Sequence, residues 1–365
     1  MLTKRNYTSR MLAIASLMCT IITSAAFGAD DLQALAKQNR NQEPLFLAIT
    51  NGPTNYLAVV NTRTKGVDYV PTGGLGGAGG NAGSVAVTGT LAAAVNFGSS
   101  TVTLFVRRGS AMEPTQVIKT SSQPVSVAFG HNHLLVLGQT TAESFPVYGN
   151  TVGKDNDGVV QLLKGDKSAA QIVSYDGGAA YSEKSGSIAV LSISTIGAAG
   201  LFGPSRPVTL PVPPNNDTPF GMVARGANVY ATIAHSNLEA LVVNGQIASM
   251  AAGPTPFQSG SGFLHAPCWN ALSGQFLFSS DSPGKQLYRY LVSNSSIFFD
   301  KAVAPKFQGS PTDLDIVDGL MGVIDGGSDG GNSNVSLFDI DSEGEPTLRF
   351  SVRIAAPING AAIIQ

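Results

Sequence analysis

The amino-acid sequence predicts an all-β fold: a seven-bladed β-propeller, closed by a C-terminal strand that completes the N-terminal blade. Three observations carry the prediction. Short runs of β-branched and apolar residues, ended by Gly, Asn, Asp or Pro, succeed one another from Leu45 onward, as strands and turns do. A proline-headed strand recurs at a period suited to four strands. No convincing amphipathic helix follows residue 40.

The repeat unit is a proline-headed strand followed by a more apolar one. Pro124-Val-Ser-Val-Ala-Phe129 leads to Leu134-Leu-Val-Leu137, and Pro219-Phe-Gly-Met-Val-Ala224 leads to Val229-Tyr-Ala-Thr-Ile233. Pro267-Cys-Trp-Asn-Ala271 leads to Phe276-Leu-Phe-Ser279, and Pro311-Thr-Asp-Leu-Asp-Ile316 leads to Leu320-Met-Gly-Val-Ile324. These prolines are 95, 48 and 44 residues apart. The double gap implies one unit without the proline, placed at Gly177 to Asn216. A period near 48 is that of a four-stranded blade. Pro357 to Ile364 reads as a first strand with nothing after it, and Leu45 to Val70 as a unit lacking its first strand. Pairing the two removes two exposed sheet edges.

The N-terminus reads as a processing signal. Lys4, Arg5 and Arg10 precede an apolar stretch from Met11 to about Ile22, then small residues to Ala29. The stretch is short for a membrane span, and Ala26-x-Gly28 fits a peptidase site. The expected organisation is a cleaved signal (1–28), a mature N-terminal segment (29–43) and one propeller domain (44–365). The expected location is secreted or periplasmic, with no membrane span after cleavage and a monomeric state.

The mature balance is 19 basic against 24 acidic residues, since three of the 22 basic residues precede Ala29. No basic block exists, so the chain lacks the clustered cations that nucleic-acid binding requires. Only Cys268 remains after cleavage, so no intrachain disulfide holds the exported protein and its core must do so.

Several stretches fall in an order that resembles one family: Thr72-Gly-Gly-Leu-Gly-Gly-Ala-Gly-Gly80, Val95-Asn-Phe-Gly-Ser-Ser-Thr-Val102, Gln123-Pro-Val-Ser-Val127, Thr218-Pro-Phe-Gly221, Ala266-Pro-Cys-Trp269 and Ser310-Pro-Thr-Asp-Leu314. The chain resembles the lactonase-type seven-bladed propellers, called 3-carboxymuconate cyclase-like or 6-phosphogluconolactonase-like. The resemblance covers almost the whole mature chain and implies opening or closing of lactone rings. It departs at Ile233, where such proteins often carry a glutamate; isoleucine transfers no proton.

Ring opening needs water, a base and a group that stabilises the oxyanion. The candidate catalytic residues are His235, His265, Asp281 and Asp325, expected near the mouth of the central channel. His131 and His133 form a His-x-His hairpin that reads as solvent-exposed. Cys268 reads as a buried thiol, as free cysteines usually are, and three residues of extended chain set it and His265 on opposite faces, which argues against a catalytic pair. Asp155-Asn-Asp157 and Asp325 to Asn332 offer calcium-type oxygens without a full calcium-loop spacing. The glycines from Gly73 to Gly83 lack a phosphate-loop ending and read as positions of close backbone approach. No cofactor is expected, a divalent cation being the open alternative. Two functions remain: hydrolysis of a small lactone at the channel mouth, or a non-catalytic propeller that recognises a glycan, peptide or protein on one face. A channel lined by Ala, Ser and Val favours the second.

Overall fold

The computed structural model describes residues 42–365, apart from 80–81, 192, 195–200, 213–217, 256–257, 260–261, 304–305 and 330. The expected signal segment (1–28) and the first part of the expected mature N-terminal segment (29–41) lie outside the described residues. The described residues form seven antiparallel sheets arranged as a seven-bladed propeller, together with two two-stranded pairs, Ile193–Ser194 with Leu201–Phe202 and Gln258–Ser259 with Gly262–Phe263. The innermost strands are Asn359–Ile364 in blade 1, Val85–Thr88 in blade 2 and Pro124–Gly130 in blade 3. Ala169–Tyr175, Pro219–Arg225, Pro267–Ser273 and Ser310–Val317 follow in blades 4 to 7. Each packs beside the next, and the last returns to the first, so the ring is closed.

Closure follows the expected scheme. Asn359–Ile364 pairs antiparallel with Leu45–Ile49, matching Leu45 with Ile364 and Phe46 with Ile363. Arg107 in blade 2 clasps the seam. Its guanidinium donates to the Ile364 carbonyl at 2.9 Å and also to the Glu43 carbonyl.

Burial explains the composition of the strands. The second strand of blade 2, Leu91–Asn96, is buried at every residue because blades cover both its faces. The outer strand, Ala111–Lys119, is mostly exposed and carries Glu113, Gln116 and Lys119. The unit without a head proline begins at Ala169, upstream of the expected Gly177. Gly178–Glu183 is its second strand, and Asp176-Gly177 is the hairpin turn between the two. The polar residues Gln171 and Ser174 obscure the apolar pattern of that first strand.

The head prolines have a physical role. A register shift follows them in blades 3, 5, 6 and 7, and a similar shift occurs at Ala169/Gln171 in blade 4. Proline has no N–H to give the ladder, and a bulge suits it. In three blades the residue two past the head reaches over to the next blade. Ser126 Oγ accepts from Ile172 N at 3.2 Å, Gln171 Oε1 from Met222 N, and Asp313 Oδ2 from Ala361 N at 3.2 Å. These bonds satisfy backbone donors on inner edges that have no neighbouring strand.

The glycine-rich loop behaves as expected. Gly76 lies against the backbone of Asn51, leaving no room for a Cβ, while Asn51 Oδ1 accepts from Gly77 N at 2.8 Å and Ala78 N at 2.9 Å.

Candidate functional site

Antiparallel pairing sets the end of each blade's second strand beside the head of its first. Pro219 pairs with Ile233, Pro267 with Asp281 and Pro311 with Asp325. His235 sits in the short turn Ala234–Ser236 just after Ile233, and His265 lies two residues before Pro267. All four candidate residues therefore occupy one end of blades 5 to 7. Arg225, at the far end of its inner strand, lies at the opposite end and donates to the Gly274 carbonyl.

A carboxylate at this register position recurs around the ring. Glu183, opposite Ala169, accepts from Lys164 N at 3.0 Å and Gly165 N at 2.8 Å. Asp281 Oδ1 accepts from Ala266 N at 2.9 Å and Gly284 N at 3.1 Å. The backbone of Gln308 and Gly309 approaches Asp325. Each acid thus ties down the connection entering its blade. Ile233 fills the position in blade 5 and is fully buried, so the acid missing there is present in blades 4, 6 and 7.

Blade 6 adds a histidine to this device. Asp281 is 0% exposed, and its Oδ2 lies 2.7 Å from His265 Nδ1. The Tyr288 hydroxyl is 2.8 Å from the same nitrogen. An ionised carboxylate only accepts, so Nδ1 carries the hydrogen and Nε2 is left with a lone pair. Burial, reinforced by the Asp281 charge, holds the Tyr288 phenol well above its ordinary range, so it stays protonated. The imidazole is 24% exposed. Gly284 packs so closely that a Cβ there would meet both the Asp281 carboxylate and the His265 ring. The His235 ring stacks on Phe263 at 4.7 Å, a residue two before His265 in sequence, and its Nδ1 is 2.7 Å from Thr218 Oγ1.

Other sequence candidates have structural partners. His131 Nε2 meets the Tyr175 and Gly178 carbonyls at 2.8 and 3.1 Å. His133 is buried, not exposed: its Nε2 lies 3.1 Å from Asp157 Oδ2, and its Nδ1 2.6 Å from the His131 carbonyl. Cys268 is partly exposed rather than buried; its thiol donates to the Ala266 carbonyl, and desolvation pushes its pKa up to about 12, far from a nucleophile's. Among the described residues, no three His, Cys, Asp or Glu side chains gather as a metal group.

The channel encloses about 400 Å³ and is lined by residues of all seven inner strands, mostly Val, Ala and other apolar types. None of His235, His265, Asp281 and Asp325 lines it. Its polar groups include Gln171, Asn270, Asp313 and Asp315. Asp313 also accepts from Gly83 N, and Asp315 accepts from Ile363 N at 2.7 Å. Burial pushes Asp313 up to about 7 and raises Asp315. Behind the wall, Asn270 Nδ2 donates to Glu239 at 2.9 Å; Glu239 is fully buried and pushed up to about 7 by desolvation. Sequence reasoning missed these three acids, although Asp313 and Asp315 stand two apart on an inner strand.

Solved structures share this architecture. The chain superposes on a protein from Lactobacillus plantarum with a TM-score of 0.66 and 13% identity, covering 89% of this chain and 100% of that one. It matches a provisionally assigned 6-phosphogluconolactonase from Bacteroides uniformis with a TM-score of 0.65 and 13% identity, over 88% of this chain and 100% of that one. A second provisional 6-phosphogluconolactonase, from Bacteroides fragilis, gives a TM-score of 0.62 and 12% identity, over 88% and 98%. The chain has the fold of the lactonase-type propellers. At these identities the likeness is one of fold, and fold alone does not carry an activity. No family model and no curated protein matches the chain.

Proposed function

We propose that this protein hydrolyses small lactones at the blade 5–6 end of the propeller, with His265 as general base. The observation that carries the reading is the 2.7 Å contact between half-buried His265 and fully buried Asp281. Asp281 fixes the tautomer and stabilises the imidazolium that forms. His265 Nε2 takes a proton from water as the water oxygen attacks the lactone carbonyl. His235, in the tautomer whose Nδ1 accepts from Thr218 Oγ1 across their 2.7 Å contact, presents Nε2–H to the developing oxyanion. As the ring C–O bond breaks, the imidazolium returns its proton to the leaving alkoxide, giving a hydroxy acid. Export belongs to the same proposal and is checked by N-terminal sequencing of the mature protein.

The test is a pH-stat assay of the purified chain on five- and six-membered lactones, with and without chelator. His265→Ala removes the base and lowers turnover by about 10²–10⁴-fold. Turnover unchanged in His265→Ala, or no acid release on any ring by the folded protein, rejects the reading for those rings. The channel, lined mostly by Val and Ala with Asp313 and Asp315 among them, favours a second reading as a binding propeller. A ligand bound by the wild type and lost in Asp315→Asn, without turnover, would support it.

A further inference from the structure

Blade 7 carries a polar assembly that lactone hydrolysis does not use. Its second and third strands pair Asp325 with Asn334, and its third and fourth pair Ser336 with Ser351. Opposed residues share a face of the sheet, as do residues two apart, so these side chains project together. The connection through Lys306, Phe307 and Gln308 covers that face and leaves a cleft of about 260 Å³. Phe307 and Phe338, at 6.3 Å between ring centres, supply its apolar wall. Asp325 lines the cleft at 3% exposure, yet its Oδ1 has no hydrogen-bond partner among the described residues. A buried carboxylate oxygen left in this way calls for a donor.

The surroundings select the donor. The Lys285 ammonium, held on the Gln308 carbonyl at 2.8 Å, acts on Asp325, and Lys306 borders the cleft. That ammonium opposes a cationic ligand. Ser336 and Ser351 hydroxyls lie 2.7 Å apart, so one donates to the other and the second keeps a free proton. A carboxylate, an amide and two hydroxyls facing an aromatic wall suit a ring with hydroxyls on its edge and C–H groups on its face. The volume is below the roughly 300–1,000 Å³ of drug-sized pockets, which fits one ring and not a chain.

We propose that this cleft on blade 7, beneath the connection that enters the blade, binds a neutral monosaccharide, with the Asp325 carboxyl accepting from a ring hydroxyl and the serines engaging its neighbours. The site is separate from His265, so it stands or falls independently of lactone hydrolysis. Saturation-transfer NMR on the full chain tests it with D-glucose, D-galactose and D-mannose, and with D-glucosamine as the cationic counterpart. Transfer to at least one neutral sugar is expected, weaker for glucosamine. Titration calorimetry should then show at least a tenfold rise in Kd in Asp325→Asn and in the cleft-filling Ser336→Leu, and none in His265→Ala. Circular dichroism confirms folding, and Asp325→Asn, which keeps the side-chain shape, decides if Ser336→Leu does not fold. No transfer to any of the three sugars, tighter binding of glucosamine, or an unchanged Kd in folded Asp325→Asn overturns the proposal.

Discussion

Replacing Glu239 by glutamine removes one ionisable group from the blade 5–6 interface and changes little else. The carboxyl is fully buried, bonded by Asn270 and flanked by the Ser279 hydroxyl, and glutamine keeps an oxygen for Asn270. Desolvation raises Glu239 from 4.5 to about 7. Each unit corresponds to about 1.36 kcal/mol, so the folded state carries a penalty of up to about 3 kcal/mol once the group is ionised. The sign follows from proton counts. Below about pH 4 the carboxyl is protonated in both states and contributes nothing. As pH rises toward 7 the unfolded chain loses this proton first, so stability falls, and above 7 the loss is complete. Urea unfolding at pH 4 and pH 8 should therefore give Glu239→Gln the wild-type midpoint at the lower pH and a higher one at pH 8. Equal midpoints at pH 8, or a less stable variant there, would show that the buried carboxylate is compensated and that the reasoning is wrong.

Three further substitutions probe the ring and the site. Arg107→Met removes the clasp on the Ile364 and Glu43 carbonyls and should cost about 1.5–3 kcal/mol for each charged hydrogen bond not replaced by water, read as a lower urea midpoint. Ile363→Ala empties a fully packed position of the closing strand and should cost about 2–5 kcal/mol, which thermal unfolding measures. Gly284→Ala forces a methyl against Asp281 and His265, so lactone turnover should drop more than stability does, as parallel pH-stat and melting measurements on the variant would show.

The propeller was legible because its signals are local. Head prolines, apolar second strands and a stray strand at each end of the repeat array all reflect blade geometry within about 48 residues. Blade 4 was misplaced because Ala169 to Tyr175 interleaves polar residues with apolar ones, and one of them, Gln171, is occupied with the next blade's backbone. The His265–Asp281 pair was named as two separate residues, because their contact depends on how a connection crosses the end of a strand. A sequence signal for the acid did exist. Glu183, Asp281 and Asp325 each stand 14 residues after Ala169, Pro267 and Pro311, the heads of their blades, and Ile233 stands 14 after Pro219. Asp313, Asp315 and Glu239 were not legible as channel or interface groups, since their burial comes from neighbouring blades and not from their own strands.

The seam in blade 1 also fixes an order of events during synthesis. Leu45–Ile49 emerges from the ribosome among the first strands, while its partner Asn359–Ile364 is among the last. At about 5–20 residues per second, roughly 15–60 s separate the two. Through that interval a strand buried at every residue in the finished ring has one edge unpaired. The blades between can stack as they are made, but the ring can lock only after translation has passed Ile364. The nascent chain thus depends most on protection from aggregation at Leu45–Ile49.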